Sequence, residues 1–526
     1  MKTIKFALLI IFSVFLISSC KKFLDVNHNP NVPEDVPMET VLPAAIENAA
    51  SVIGSSYLIL GEIWSEHWTS DANAPDYQTE DSYNVTAGDY SYDIAGWSNI
   101  YPNAMMDLEW IRNKAKEDSN WTYYLVATVF QSYIFQFMAD FYDQIPFSEA
   151  FKGLPPHFEN GYDVYDSLIV RIDDAIQKYE SCSECPKIEE GDLIFNGDMD
   201  KWIEFANTLK LKIYLREVYK RPTVAQQGIE KLAQEGAKFL TVDAKFDDFA
   251  DEAGRDNYVY GREYRGRGNI NLRASKTLID LLKYYQDPRL DYIFLRPRGE
   301  EDDIDNHRGM YQGDYRNVYS YPGQDVEISR PRVTALTPTY FITAAESYFL
   351  QAEASVRFNN VFGDPTTLYQ KAIEADFSRL MQNYKGDPIN ANESLGDIDY
   401  HDVLNKRYYG DFDPNTMPTD TLIKRIIVQK WIAMANIQGH EAFFEHNRTG
   451  YPENSPVQPG DPNFASEYKL GEFTVSVTGV LPKTNPYPKR LMFPSTEQSR
   501  NPNTPKVQPL YKPVWWDPTS DYTSSK

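Results

Sequence analysis

Apolar residues recur along much of the chain at the three- and four-residue spacing of an α-helix. Ten stretches show this pattern, and none shows a sustained alternation typical of strands. They are 39–68, 105–116, 121–139, 163–180, 199–219, 223–236, 274–285, 339–358, 366–383 and 419–436. The clearest stripe, in 163–180, is formed by Val164, Leu168, Ile169, Ile172, Ala175, Ile176 and Tyr179. The pattern predicts a mainly α-helical protein.

Several of these stretches follow one another as candidate helix pairs. Examples are 121–139 with 163–180 and 339–358 with 366–383. The second pair carries small residues where helices could approach closely, namely Ala344, Ala345, Ala352 and Ala354. This resembles tetratricopeptide packing, although no fixed 34-residue repeat is present. We therefore expect an irregular array of helix pairs.

Long segments rich in Gly, Pro, Asp, Asn and Tyr separate the helical stretches. They span about 70–103, 245–272, 296–335 and 450–526. Loops of this length inside a compact domain are commonly functional. They predict a loop-rich lobe carried by the helical scaffold.

The N-terminal residues are typical of a secretion signal. Lys2 and Lys5 precede an apolar run of about twelve residues, too short to span a bilayer as a helix. The run ends in Ile17-Ser18-Ser19-Cys20, which resembles a bacterial lipobox, with cleavage before an acylated Cys20. An ordinary signal peptide with a chance cysteine is the alternative. No later stretch is long and apolar enough to span a membrane, so we expect attachment through lipid alone.

The charge of the chain argues against anionic partners. The formal net charge is −24, and it becomes −26 when residues 1–19 are removed, because Lys2 and Lys5 leave with them. Such a surface repels nucleic acid and anionic headgroups. Aromatic residues make up 14% of the chain, with 37 Tyr and 9 Trp, more than a core requires. Tyrosine combines an apolar ring with a polar tip and suits wet binding surfaces.

Cysteine and metal-site patterns give little evidence of chemistry. After Cys20, only Cys182 and Cys185 remain, and they form either a local disulfide or two free thiols. His440 and His446 are six residues apart, about 600° around a helix, so they do not form a zincin pair. We expect no metal and no cofactor.

Two acidic segments are candidates for calcium binding. The segment from Asp411 opens like a calcium loop but has Thr416 and Leu422 where Gly and Glu are needed. The acidic run 300–303 could hold calcium loosely, and a solvated loop is the simpler interpretation.

Enzyme motifs are equally weak. The chain has 76 acidic residues, so two of them could lie at the separation that a glycosidase needs, but the sequence singles out no such pair. No G-x-S-x-G nucleophile motif occurs. The sequence therefore favours a protein that is not an enzyme.

Several blocks, taken in order behind the lipobox, resemble the SusD/RagB family over nearly the whole chain. They are CKKFLDVNHNPN (20–31), DFYDQIPFSEAF (140–151), YQDPRL (285–290), TYFITAAESYFLQAEA (339–354), IIVQKWIAMANIQGHEAFFEHNRTGYP (426–452) and PKRLMFPSTEQSRNPN (488–503). In the second block Asp143 stands where the family commonly has Gly. The resemblance implies a SusD-like fold, in which tetratricopeptide-like helix pairs support a looped lobe.

The resemblance also implies a function and the regions that carry it. Family members bind oligosaccharides, and some bind peptides, beside a SusC-like TonB-dependent barrel in the outer membrane. Their glycan sites generally use aromatic loops, which correspond here to 64–101 and 258–321. The residues we single out as ligand-binding are Asp71, Asn73, Tyr77, Tyr83, Trp97, Tyr315 and Tyr319. Core packing is the alternative for each ring. A second field contains Tyr258, Tyr260, Tyr264, Tyr311 and Tyr321, with Arg262, Arg265 and Arg316.

The sequence thus predicts a cleaved signal (1–19), a lipidated tether (20–30) and one SusD-like domain (31–526). The expected function is capture of nutrient ligands, most readily glycans, at the outer surface for the SusC-like transporter. The alternatives are a peptide-binding member of the same class, a surface glycan hydrolase, and an adhesin or lid without a ligand of its own.

Overall fold

The computed structural model describes residues 36–72, 76–89, 96–265, 271–297, 304–314, 328–383 and 411–523. Cys20, Asn73, Tyr315 and Tyr319 lie outside the described residues. The acidic run 300–303 also lies outside them.

Helices dominate the described chain. They are α1 (Met38–Ile53), α2 (Ser56–Trp64), α3 (Gln78–Asp81), α4 (Trp97–Asn99), α5 (Met106–Glu117), α6 (Trp121–Tyr142), α7 (Gly161–Glu180), α8 (Met199–Arg216), α9 (Pro222–Gln234), α10 (Tyr258–Glu263), α11 (Lys276–Tyr285), α12 (Arg289–Ile293), α13 (Ala344–Arg357), α14 (Pro365–Asn383), α15 (Thr419–Met434), α16 (Gly439–Thr449), α17 (Phe464–Glu467) and α18 (Ser495–Arg500). A π-helical segment, Ile100–Met105, joins α4 to α5, and Ile304–Asn306 forms a 3-10 turn.

The strands are short and pair two by two in antiparallel ladders. They are β1 (Trp68–Ser70), β2 (Gln144–Pro146), β3 (Phe158–Asn160), β4 (Ala244–Phe246), β5 (Leu272–Ala274), β6 (Phe294–Leu295), β7 (Arg330–Pro331) and β8 (Thr339–Ile342). The pairs are β1–β5, β2–β3, β4–β8 and β6–β7. In the first of these, Trp68 lies opposite Ala274 and Ser70 opposite Leu272. This ladder joins two loop regions that are about 200 residues apart in sequence.

Every predicted helical stretch contains a helix, so the mainly α-helical fold is confirmed. The stretch 39–68 is broken at Gly54 into α1 and α2, and its last residue begins β1. Residues 339–342 form a strand rather than the start of a helix, in keeping with their β-branched and aromatic composition. Side-chain caps begin several helices: Asn120 accepts from the backbone N–H of Tyr123, and Thr343 accepts from that of Glu346.

Consecutive helices pack as pairs, as the resemblance implies. The pairs within the described chain are α6 with α7, α8 with α9, α13 with α14 and α15 with α16. Helix α6 is buried on all sides from Thr122 to Tyr142, which explains why its sequence is apolar around its whole circumference. The remaining pairs surround it or extend from it.

Two sequence questions are answered by the fold. Cys182 and Cys185 form a disulfide in the turn after α7. Among the described residues, no helix is both long and apolar enough to cross a membrane.

Candidate ligand-binding site

Two of the predicted loop regions meet at the β1–β5 ladder. The ladder continues past its last pair, where the backbone N–H of Asp71 donates to the carbonyl of Asn271 at 2.7 Å. We call the side chains gathered here the loop junction, which consists of Asp71, Asp76, Tyr77, Arg262, Glu263, Asn271 and Arg273. The described parts of the two aromatic regions that the resemblance implies, 64–101 and 258–321, are therefore neighbours in space.

Polar contacts tie the two sides of the loop junction together. The Tyr77 hydroxyl donates to Oε1 of Glu263 at 2.5 Å. Asn271 Nδ2 donates to Oε2 of Glu263 at 3.0 Å and to Oδ2 of Asp76 at 3.2 Å. Asp71 forms an ion pair with Arg273. Burial, and then the Glu263 carboxylate, raise the pKa of Tyr77, so this hydroxyl stays a neutral donor.

A buried carboxylate fixes a third segment against the ladder. Asp81 Oδ2 accepts from the Thr69 hydroxyl at 2.9 Å, the Ser70 N–H at 3.3 Å and the Gly313 N–H at 2.9 Å. Burial raises the pKa of Asp81 to about 7, although these donors oppose that shift. The neighbouring Gln312 Nε2 donates to the Trp68 carbonyl at 2.7 Å. The described residues before Tyr315 and Tyr319 are thus held beside the loop junction.

Three of the singled-out rings are buried, and the expectation that they present an open face for stacking is corrected. Trp97 is 5% exposed, Tyr77 8% and Tyr83 2%. The Trp97 ring packs against Tyr101, with centroids 4.8 Å apart, and against Tyr142, at 4.9 Å. The physical reason is that α4 runs through the π-helical segment into α5, which packs on α6. These three rings therefore face inward, although their segment is rich in Asp and Asn.

Partly exposed aromatic rings of this region lie in α10 and at the residue that follows it. Asn257 caps this helix, accepting from the N–H groups of Val259 at 3.0 Å and Tyr260 at 3.1 Å. Tyr260 and Tyr264 stack with centroids 5.6 Å apart, and both are partly exposed. Arg262 is 42% exposed, and its guanidinium lies 5.3 Å from the centre of the Tyr77 ring. The sequence signal for this pair is the four-residue spacing of two tyrosines on one helix face.

The described residues offer no cluster of metal ligands, since no group of three or more potential ligands occurs among them. His440 and His446 lie within α16, and burial lowers the pKa of each to about 3. Asp413 accepts from the Asn415 N–H at 2.9 Å, so it stabilises a turn.

Comparisons with known proteins agree with this architecture. A family model of the SusD-like group, described as starch-binding associating with outer membrane, matches residues 30–466. The chain matches no curated protein.

Solved structures with the same fold include several SusD homologues. A chitin-binding homologue from Flavobacterium johnsoniae has a TM-score of 0.71 at 20% identity, covering 92% of this chain and 99% of that one. A homologue from Bacteroides fragilis has a TM-score of 0.70 at 20% identity, with the same coverage. One from Bacteroides thetaiotaomicron has a TM-score of 0.67 at 20% identity, covering 92% and 100%. Because the family model spans most of the sequence and the fold agrees throughout, the chain belongs to the SusD-like family.

Proposed function

We propose that this protein captures oligosaccharides at the outer surface of the cell and passes them to a SusC-like TonB-dependent transporter in the outer membrane. The observation that carries the proposal is membership of a family described as starch-binding and associated with the outer membrane. The chitin-binding relative shows that a protein of this fold can bind a glycan, although at 20% identity its ligand is not transferred to this chain.

The loop junction and α10 are the proposed contact surface. A neutral sugar offers C–H faces that stack on rings and hydroxyls that exchange hydrogen bonds. Tyr260 supplies a partly exposed ring, while Arg262 and Asp76 supply exposed polar groups. Tyr77 supports this surface from beneath through its hydrogen bond to Glu263. Ligand contact by Trp97 and Tyr83 stays a prediction. Asn73, Tyr315 and Tyr319 stay predictions, because they lie outside the described residues.

Calorimetry with chito- and malto-oligosaccharides tests this assignment. Tyr260→Ala should weaken binding by about tenfold, since an aromatic contact contributes about 0.5–1.5 kcal/mol beyond its buried area. Tyr284→Ala removes an equally large ring that is exposed on α11, outside the loop junction, and serves as the matched control. Unchanged affinity in a protein carrying both Tyr260→Ala and Arg262→Ala would move the site elsewhere.

The alternative functions give different results in the same experiments. Binding of a neutral glycan should change little over a tenfold range of salt, whereas a charged peptide should respond clearly. A hydrolase would release new reducing ends from polysaccharide, and we expect none. Co-purification from native membranes with a TonB-dependent barrel would test the proposed partner.

A further inference from the structure

A cavity on the helical scaffold has the chemistry of a ligand site, and none of its lining residues belongs to the loop junction. It has a volume of about 500 Å³ and lies between α5, α6, α7 and the segment that follows β2. This volume is within the usual range of small-molecule sites. Three phenylalanines, Phe135, Phe147 and Phe151, form its apolar wall.

The polar lining is positive in a protein that is strongly negative overall. Arg112, Lys152 and Arg171 line the cavity, and Glu109 is the one acidic residue among the lining side chains. Glu109 is already neutralised, because Arg112 binds it through Nη2 at 2.7 Å and through Nε at 3.0 Å. Arg171 and Lys152 are the other two cations of the lining, and they share the field of Glu109 and Glu149 without forming a direct ion pair as Arg112 does. The whole chain, in contrast, carries a net charge of −24.

Arg171 is the unusual member of this group. Its guanidinium lies 5.6 Å from the centres of both Phe135 and Phe147. Nη2 donates to Oε1 of Gln131, a neutral acceptor, and Nε is buried without a hydrogen-bond partner. Its nearest carboxylate, Glu109, acts on it through space and through Gln131, whose Nε2 donates to Glu109 Oε2 at 3.3 Å, rather than through a direct ion pair. The side chain is partly buried, one of its donors is unsatisfied, and it lines the cavity, where an anion could supply further acceptors to its guanidinium.

The electrostatics agree with this geometry. Burial and then the Arg112 cation lower the pKa of Arg171 to about 9. An arginine with a bound carboxylate shows the opposite direction, as Arg112 does beside Glu109. An incoming anion would remove this imbalance while leaving the Arg112–Glu109 pair intact.

We propose that this cavity binds a small organic carboxylate borne on a six-membered ring, with Arg171 holding the carboxylate and the three phenylalanines packing on the ring. The planar guanidinium matches the two oxygens of a carboxylate. Asn113, Ser148 and Ser167 on the rim can serve ring hydroxyls. A sugar acid and an aromatic acid share this chemistry.

A larger cavity nearby lacks these features. It has a volume of about 890 Å³ and lies beside α7, α8 and α9. Its Lys231 pairs with Asp173 at 2.9 Å, and Lys210 contacts the same carboxylate. Lys201 pairs with Glu204 at 2.8 Å. These cations are already compensated, so this cavity gives no comparable indication of an anionic ligand.

Calorimetric titration of the purified protein with glucuronate and benzoate tests the proposal, and glucose and benzyl alcohol are the uncharged counterparts. At least one of the two carboxylates should bind saturably, and its uncharged counterpart should not. The carboxylate that binds more tightly shows whether the natural ligand is a sugar acid or an aromatic acid. Affinity should fall as salt is raised, because the contact is between charges. Arg171→Gln should lower the affinity for that carboxylate by at least about tenfold. Arg171→Lys should retain part of the affinity, because lysine keeps the positive charge but lacks the planar guanidinium that binds both carboxylate oxygens.

Lys178→Gln is the matched control, because it removes a cation from the same helix outside the cavity. Circular dichroism of each variant separates loss of binding from loss of fold. Three outcomes would overturn the proposal: no saturable binding of either carboxylate, equal affinity in Arg171→Gln, or inorganic phosphate binding as tightly as the better acid. None of them depends on oligosaccharide binding at the loop junction, so the two proposals fail separately.

Discussion

At the scale of single residues, Asp81 should make the stability of the protein depend on pH. Burial raises its folded-state pKa to about 7, above the value near 3.9 expected when unfolded. Below about pH 4 the group is protonated in both states. As pH rises toward 7, the unfolded chain alone gains the favourable charge, so the free energy of unfolding falls. Asp81→Asn should flatten this decline.

Urea unfolding between pH 4 and 7 would measure this effect. One pKa unit corresponds to about 1.4 kcal/mol, so the wild type should lose a few kcal/mol that the variant keeps. Asp200→Asn, at an exposed position in the first turn of α8, should leave the pH dependence as in the wild type. Parallel pH profiles for wild type and Asp81→Asn would show that Asp81 ionises normally in the folded state.

Sequence reasoning could not tell which rings of the candidate regions are exposed. Trp97 and Tyr83 lie in segments whose composition is typical of loops, yet both are core residues. Burial here depends on where α4 and the 76–89 segment dock, which is decided by contacts with residues far along the chain. Tyr260 and Tyr264 belong to the second aromatic field. That this field adjoins the first follows from the fold, through the β1–β5 ladder and the Tyr77–Glu263 hydrogen bond.

At the scale of secondary-structure elements, a buried charge network ties five helices together. Arg216 of α8 bonds to Asp140 of α6 at 3.2 Å and to Glu441 and Glu445 of α16, each at 2.5 Å. Arg448 bonds to Glu353 of α13 at 2.7 Å. The Lys430 ammonium of α15 lies 3.5 Å from Glu445. Within the network, nearby cations overcome the effect of burial and lower the pKa of Glu441 to about 2.

Arg216→Met should therefore destabilise the protein by about 3–5 kcal/mol, because it leaves three buried carboxylates short of a cation. Lys114→Met removes one side of the exposed Lys114–Asp118 pair on α5 and should change stability by less than about 1 kcal/mol. Urea unfolding followed by circular dichroism measures both. Equal, small changes would show that the network is solvated rather than buried.

Helix contacts in the pair α13–α14 give a second prediction at this scale. Ala345 and Ala352 are seven residues apart and buried, as their spacing predicted. Ala345→Leu or Ala352→Leu should overpack the core and destabilise the protein by about 1–3 kcal/mol. Gln370→Leu adds a similar side chain at an exposed position on α14 and should have little effect. Unchanged melting temperatures in both Ala345→Leu and Ala352→Leu would contradict close packing of α13 at these positions.

The helices were predictable because each is periodic over several turns and depends on local spacing. The paired strands were not, since each has only two to four residues and depends on a partner distant in sequence. Helix α16 was missed as a separate element, although the sequence block that contains it was identified. Its apolar residues are confined to Ala442, Phe443 and Phe444, and most of its buried side chains are polar or charged, so no apolar stripe marks its period.

At the scale of the whole molecule, the proposed function requires that the protein stay at the membrane, and no described helix is long and apolar enough to span it. A cleaved signal followed by an acylated Cys20 would provide that attachment, since two or more acyl chains anchor a protein stably. Residues 20–30 would then form the predicted tether between the lipid and the domain, whose first helix begins at Met38. This arrangement stays a prediction, because Cys20 lies outside the described residues.

Cys20→Ala should abolish lipid modification while leaving the folded domain and its ligand binding unchanged, because Cys20 precedes the helical scaffold. We expect the variant to leave the membrane fraction and to lose oligosaccharide uptake in cells, yet to bind the same ligand with wild-type affinity after purification. Ser19→Ala keeps a small residue before the cysteine and should behave as wild type. Fractionation, metabolic labelling with a fatty acid and calorimetry together separate anchoring from binding. A Cys20→Ala protein that remains as firmly membrane-bound as the wild type would contradict the lipid anchor, and attachment would then have to come from the barrel partner alone.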